Sequence, residues 1–180
     1  MKATGIVRRI DDLGRVVIPK EIRRTMRIRE GDPLEIFTNK DGEVIFKKYS
    51  PLGELSSISH EICETVSKVS GQTCAILDKD SVVACYGNLK GEAQDERVSK
   101  YIERIMGERS TYQHKKGEAQ LAINENNKKC IVKVLSPIIN DGDITGAIAL
   151  ISDDHELECD VSDVKLINSS ALFLSKHMSN

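Results

Sequence analysis

The sequence lacks long hydrophobic runs. In its 180 residues no apolar stretch approaches the roughly 18 residues that a membrane-spanning helix needs. The first five residues also have none of the apolar character of a secretory signal. A composition of 39% hydrophobic and 30% charged residues is ordinary for a soluble globular protein. We therefore expect a cytoplasmic protein that makes no membrane contact.

The cysteines lack the number and spacing of a structural framework. There are five, an odd number, and no two form a C-x-x-C pair: Cys63, Cys74, Cys85, Cys130 and Cys159. This argues against both a disulfide framework and a zinc site. Two of them lie in strand-like apolar runs, where a free cysteine is usually a small buried hydrophobic residue. We expect neither a metal nor a cofactor.

The usual motifs of catalysis are missing as well. No glycine-rich phosphate loop of the G-x-x-x-x-G-K type occurs, and the histidines have no companions that suggest a catalytic triad. Residues 153–160 combine Asp, His, Glu and Cys, but without the spacing of a zinc or calcium motif. A polar loop whose acids precede a helix is the simpler interpretation. We expect that the protein is not an enzyme.

Basic side chains are concentrated near the N-terminus. Residues 8–29 hold eight of the 26 bases and only three acids. Residues 1–50 carry 12 bases and 8 acids, whereas residues 51–180 carry 14 bases and 20 acids. This asymmetry predicts two domains, 1–50 and 51–180. One interpretation of the basic segment is a merely solvated surface. The asymmetry favours another, a polyanion-binding module joined to a domain that does not touch nucleic acid.

The N-terminal domain is predicted to contain short strands around one helix. Residues 5–10 and 15–18 are rich in β-branched side chains and flank the turn signal Asp-Asp-Leu-Gly at 11–14. Pro19 suits the first turn of a helix over 19–27. That helix would place four bases on one face at i, i+3, i+4 and i+7, with Ile22 and Met26 turned toward a core. Residues 34–38 and 43–48 predict a hairpin around an Asp-Gly turn.

An N-terminal domain of this size needs a partner. Fifty residues without a disulfide or a metal rarely bury enough apolar surface to be stable alone, so we expect an obligate homodimer. With a single helix the domain cannot be a helix-turn-helix module. Arginine binds phosphate oxygens bidentately and pairs well with guanine edges. Two copies of this arginine-rich surface should therefore bind double-stranded DNA.

Three segments of the N-terminal domain resemble the AbrB family of transition-state regulators. They are Lys-Ala-Thr-Gly-Ile-Val-Arg at 2–8, Asp-Leu-Gly-Arg-Val-Val-Ile-Pro at 12–19 and Glu-Ile-Arg-Arg-Thr at 21–25. The resemblance implies a β-rich swapped-hairpin barrel that dimerises and binds DNA. The DNA-contacting residues that it implies are Arg8, Arg15, Arg23 and Arg24. The weaker candidates are Lys2, Arg9, Lys20 and Arg27.

The C-terminal domain alternates helices and strands. Ser50-Pro51 is a helix-start signal, and apolar residues spaced by three and four continue that helix to residue 70. Strands are predicted at 73–77, 82–86, 119–123, 129–139 and 143–152, with helices at 92–106 and from 160 onward. Helices at both ends of an antiparallel sheet make an α+β domain. This order of elements resembles a GAF domain, a small-molecule sensing module.

The two domains together resemble regulators of transcription in the forespore of endospore-forming bacteria. The resemblance implies a sequence-selective regulator of sporulation genes that both activates and represses. It also implies a homotetramer joined through the C-terminal helices and an effector of unknown identity. Two alternatives remain. One is an antitoxin, since similar N-terminal domains occur there, although usually with a disordered toxin-binding tail. The other is a GAF-like sulfoxide reductase that would use Cys74, Cys85 or Cys130.

Overall fold

The structure, a computed structural model, describes residues 5–124 and 127–178 of the chain. It divides into two compact units, Met1–Tyr49 and Ser50–Asn180, which we call the head and the body. Among the described residues, no helix is both long enough and apolar enough to cross a membrane.

The head contains one short helix and one hairpin. Helix α1 spans Lys20–Thr25 and follows Pro19, whose fixed φ suits a helix start. Strands β1 (Leu34–Thr38) and β2 (Val44–Lys48) pair antiparallel. Between them the Asn39 side chain accepts two backbone N–H bonds and closes the turn. The predicted hairpin is confirmed to within one residue.

Helix α1 is shorter than predicted at its C-terminal end. It stops at Thr25 because Arg27 takes a left-handed backbone conformation, with φ of 52°. The Ile28 N–H then donates to the Arg23 carbonyl at 2.8 Å, the bond that closes a Schellman motif. Arg27 therefore leaves the helical face on which the other three bases lie.

Residues 5–18 form a turn but not the two predicted strands. The turn is closed by the Gly14 N–H, which donates to the Asp11 carbonyl at 2.9 Å, and by the Asp11 N–H, which donates to the Arg15 carbonyl at 3.0 Å. A strand also needs hydrogen bonds to a neighbouring edge, and neither sheet of the described residues includes this segment. The predicted barrel is thus not completed within one chain.

The apolar side chains of the head remain exposed. Among its described residues only Pro19 is buried, while Val7 is 87% and Leu13 is 75% exposed. Met26, predicted to face a core, is 55% exposed. Large apolar patches on a protein surface are usually covered by a partner. A single head therefore lacks the hydrophobic core that a domain of its size needs.

The body is a five-stranded antiparallel sheet covered by helices. The strand order is β4-β3-β7-β6-β5. The strands are β3 (Thr73–Asp78), β4 (Val82–Tyr86), β5 (Tyr112–Gln113), β6 (Ile131–Asn140) and β7 (Asp143–Ser152). The helices are α2 (Pro51–Glu54), α3 (Ser56–Ser70), α4 (Lys90–Ala93), α5 (Lys100–Gly107) and α6 (Val161–Met178).

Each face of the sheet buries an aliphatic core. Successive side chains of a strand point to opposite faces, so Ile76 joins the core under α3 and α6. Its neighbour Leu77 joins the core that includes Ile102 of α5. All three side chains are fully buried. Successive apolar side chains of these strands thus pack into two separate cores, one on each face of the sheet.

One predicted helix of the body is interrupted. The helix expected over 92–106 is two helices, α4 and α5, because Asp95 has a φ of 62° and breaks the helical path. Helix α5 then starts afresh at Ser99, whose hydroxyl accepts the Ile102 N–H. A serine at this position is a common N-cap.

One predicted strand of the body is absent. Residues 119–123 contribute only an isolated bridge between Ala122 and Ile131. The edge of the sheet is taken instead by the short strand β5, which was not predicted. Strands β3, β4, β6 and β7 and helix α6 agree with prediction. The helix predicted from Pro51 to residue 70 is also divided, into α2 and α3, because the ψ of Leu55, 29°, departs from helical values.

Gly146 allows a test of the packing where β7 meets β3. A Cβ at this position would lie 2.0 Å from the Leu77 carbonyl oxygen and 2.5 Å from Cδ1 of Leu52, both in fully buried residues. We expect Gly146→Ala to lower the free energy of unfolding, measured in urea, by roughly 1–3 kcal/mol or more. Gly91→Ala in α4 has nothing within 4 Å and should stabilise by about 0.5–1 kcal/mol. Equal effects of the two changes would contradict this packing.

Candidate nucleic-acid interface

The predicted DNA-contacting residues of the head lie on the 5–18 segment and on α1. Three flank the turn and three lie on the helix, and all six are exposed: Arg8, Arg9, Arg15, Lys20, Arg23 and Arg24. Arg27, a weaker candidate, is half-buried beyond the helix end. Lys2, also a weaker candidate, lies outside the described residues.

Three of these arginines have no acidic partner in the part of the chain that the structure describes. Among the described residues, no carboxylate lies within salt-bridge distance of Arg8, Arg23 or Arg24. A guanidinium offers five donors in a planar fork that matches phosphate oxygens and the edge of guanine. These groups are therefore available to an anionic ligand.

The fourth arginine, Arg15, is held in place by Asp11. The Asp11 carboxylate accepts the backbone N–H of Leu13 at 3.0 Å and of Arg15 at 2.8 Å, and it accepts the Arg15 Nε at 2.9 Å. The backbone N–H of Arg15, more than its guanidinium, lowers the pKa of Asp11 against the opposing effect of desolvation. Among the described residues only Nε of Arg15 has an acidic partner, so its two terminal nitrogens remain for a ligand.

Asp11 is a positioning residue that sequence analysis treated only as part of a turn. The signal was present in the spacing Asp11-x-x-Gly14-Arg15. An aspartate at the start of a turn accepts backbone N–H groups a few residues on, and the Arg15 side chain follows from the same geometry. The carboxylate thus fixes both the turn and the direction of the arginine.

Lys48 and Asp32 join the end of α1 to the hairpin. The Lys48 ammonium donates to the Arg27 carbonyl at 3.0 Å and lies 3.1 Å from Oδ2 of Asp32. Burial alone would raise the pKa of Asp32, but the Arg29 N–H and the Lys48 ammonium outweigh it and lower that pKa. Sequence analysis gave Lys48 no role. It holds the helix that carries three of the candidate bases against β2.

The cysteines have the properties of core residues. All five are buried and free. Burial raises the pKa of Cys85 to about 12 and of Cys130 and Cys159 to about 11, and together with the neighbouring Cys63 it raises that of Cys74 as well. Such thiols stay protonated near neutral pH and are poor nucleophiles. Among the described residues, no three His, Cys, Asp or Glu side chains form a group that could hold a metal ion.

Comparison with known proteins gives matches to both parts of the chain. The family described as stage V sporulation protein T C-terminal, transcription factor, matches residues 54–179. The family described as antidote-toxin recognition MazE, bacterial antitoxin, matches residues 7–53. Stage V sporulation protein T of Bacillus subtilis (strain 168) is 43% identical over 178 residues, 99% of each chain.

Two further proteins are similar to parts of the chain. The transition state regulatory protein AbrB of B. subtilis is 39% identical over 95 residues, 53% of this chain and 96% of its own. The blue-light absorbing form of the PixJ GAF domain from Thermosynechococcus elongatus superposes with a TM-score of 0.52 at 14% identity, covering 72% of this chain and 90% of its own. The predicted AbrB-like and GAF-like folds are confirmed by these similarities.

Asp11 should matter for DNA binding in a way that its charge alone does not predict. We expect Asp11→Ala to weaken DNA binding about tenfold, the effect of one misplaced charge-assisted hydrogen bond, although the change makes the head more basic. Fluorescence anisotropy with labelled duplex DNA measures this.

The matched control for Asp11→Ala is Asp12→Ala. Asp12 is exposed and adjacent, and its replacement changes the net charge by the same amount. Loss of an acid near a polyanion should leave the affinity unchanged or slightly raise it. Tighter binding by both variants would mean that Asp11 acts only through its charge.

Proposed function

The chain belongs to the stage V sporulation protein T family, and on that basis we propose that paired heads bind DNA through Arg8, Arg15, Arg23 and Arg24. The protein is a DNA-binding transcription regulator of sporulation. The observation that carries the residue assignment is the set of exposed guanidinium groups on one small unit, three of them without an acidic partner in the described chain. Lys2, Arg9, Lys20 and Arg27 would add weaker contacts.

Pairing of the heads is supported by their exposed apolar side chains. Val7 and Val16 in the 5–18 segment and Ile36 and Phe46 in the hairpin are between 41% and 87% exposed. Exchange of the 5–18 segments between two chains would give each segment the strand edge that it lacks and would cover these side chains. Each buried apolar side chain contributes roughly 1.5–3 kcal/mol. The dimer therefore supplies the core that one head cannot form.

Assembly of the bodies into a tetramer is supported by helix α6. Leu172 and Phe173 are 58% and 49% exposed, on a helix whose other side is buried against the sheet. Two adjacent exposed apolar residues on a terminal helix are suited to packing against the same helix of another chain. Two head-paired dimers would then form a homotetramer.

The remaining parts of the proposal follow from the family and the chemistry. The protein acts in the cytoplasm of the forespore, where it activates some genes and represses others, and its body senses an effector. We propose that it is not an enzyme. Against the reductase alternative, burial raises the pKa of Cys74, Cys85 and Cys130 and so disfavours their reactive thiolate form. The antitoxin alternative has support in the match over residues 7–53. The ordered body and its match over residues 54–179 favour the regulator.

The arginine assignment has a quantitative test. If the eight primary arginines of a dimer all reach phosphates, the logarithm of the DNA association constant falls with the logarithm of salt concentration at a slope near −7. Replacing Arg23 and Arg24 together by Ala removes four of these contacts and should reduce the slope by about half. Anisotropy titrations between about 50 and 200 mM salt measure the slope.

The control for this double variant is Lys79→Ala with Lys165→Ala. Both lysines are exposed residues of the body, and the change in net charge is the same. The control should retain the slope of the unaltered protein. An equal loss in both variants would assign the effect to net charge and contradict the proposed contacts.

The tetramer is tested by a charge placed on α6. We expect Leu172→Glu with Phe173→Glu to halve the molecular mass of the particle, measured by light scattering, because the apolar contact is replaced by four carboxylates across a pair of helices. Lys165→Glu on the same helix changes the net charge equally and should keep the tetramer. A mass unchanged in the double variant would show that α6 does not join dimers.

A further inference from the structure

A cavity of about 680 Å³ opens on the body beside the start of α5. One wall is apolar and is formed by Ala119, Leu121, Ala122 and Ile131. Cavities that bind small molecules typically measure roughly 300–1,000 Å³ and have mainly apolar walls with a few polar groups. The size and lining of this cavity therefore suit a small molecule with an aliphatic part.

The polar groups of the cavity favour a negatively charged ligand. Lys128 and His155 line it together with Gln120, and no carboxylate of the described residues does. Lys128 forms no salt bridge within the described chain. An ammonium that forms no salt bridge with a described residue, together with an imidazole and an amide, is a set of donors for a carboxylate.

We propose that this cavity binds a small aliphatic monocarboxylate. Lys128, His155 and Gln120 hold its carboxylate, and its hydrocarbon chain lies along the apolar wall. The site stands on the geometry of the body alone. Only the consequence of the ligand for the joining of dimers through α6 rests on the proposed function.

Two of these polar residues, Gln120 and His155, also hold the loop between β7 and α6. The Gln120 amide donates to the His155 carbonyl at 3.1 Å, and its oxygen hydrogen-bonds to Nδ1 of His155. Lys133 also donates to the His155 carbonyl, at 3.3 Å. A bulge in β6 directs Lys133 inward, where it is only 1% exposed. A ligand at Gln120 and His155 therefore acts on an anchor point of this loop.

Helix α6 starts a few residues after this anchor point. The Gln113 amide donates to the Cys159 carbonyl at 2.7 Å, and the Cys159 thiol donates to Gln72 at 3.4 Å. Asp160 then accepts the Asp163 N–H at 3.0 Å in the first turn of α6. A carboxylate that takes over the hydrogen bonds of Gln120 and His155 changes how the start of α6 is held. The ligand would thereby act on the helix proposed to join dimers.

The probe that tests the site is hexanoate, with hexanamide as its uncharged counterpart. Saturation-transfer NMR titrations of the full chain should give a dissociation constant for hexanoate on the order of 1 mM, as expected for a ligand of this size. Hexanamide should bind about tenfold more weakly, the weight of one charge-assisted hydrogen bond. Equal binding of the two probes, or no binding of hexanoate, would overturn the proposal.

Three variants locate the binding. Lys128→Ala should weaken hexanoate about tenfold and leave hexanamide unchanged. Lys129→Ala removes a neighbouring exposed charge that does not line the cavity and should leave both probes unchanged. Ala119→Trp fills the cavity from an exposed position and should weaken both probes. Binding that survives both Lys128→Ala and Ala119→Trp lies elsewhere and would overturn the assignment.

Hydrogen exchange tests the link to α6 without DNA. At a concentration near its dissociation constant for the unaltered chain, hexanoate should change the amide exchange of residues 153–163 in that chain and several-fold less in Lys128→Ala. Unchanged exchange with hexanoate bound would overturn the link. A protein that binds hexanoate but never binds duplex DNA would contradict the proposed function and leave the cavity assignment intact.

Discussion

Burial of the apolar side chains of the head is the constraint on which the rest of the molecule depends. Within one chain these side chains meet water, as the 87% exposure of Val7 shows, and each one left exposed forgoes roughly 1.5–3 kcal/mol. The 5–18 segment, which carries Arg8 and Arg15, also belongs to neither sheet of the described residues. If the heads pair as proposed, the basic surface becomes ordered when two chains combine. Folding of the head and creation of a DNA-binding surface are then one event.

The body differs from the head because it buries both faces of its sheet within a single chain. Its two cores place Ile76 and Leu77 on opposite sides, each fully buried. Bodies that associate through α6 would hold their heads at a high effective concentration and so promote head pairing. In such an assembly the body would support pairing of the heads, and changes at α6 would alter the fraction of paired heads.

Sequence patterns predicted the local structure and missed what depends on distant residues. The hairpin and strands β3 and β7 follow from alternation and turn residues, which are local signals. The outcome for 5–10 and 15–18 could not be judged from pattern alone, since a strand needs a neighbouring edge and neither sheet of the described residues includes this segment. Arginine-rich segments pointed to the candidate DNA-contacting residues, but the roles of Asp11 and Lys48 depend on hydrogen bonds that only the folded chain shows. The cavity was not predicted because its walls come from four separate segments of the chain.

The exposed extended segment at 5–18 also affects how long the protein survives in a cell. Exposed backbone outside regular secondary structure is a preferred site of proteolytic cleavage. If the heads pair as proposed, proteolysis would remove unassembled chains faster than assembled ones. A chain made at a low rate would remain unassembled for longer, and a larger share of it would be degraded. Accumulation of the protein would then rise more steeply than its synthesis.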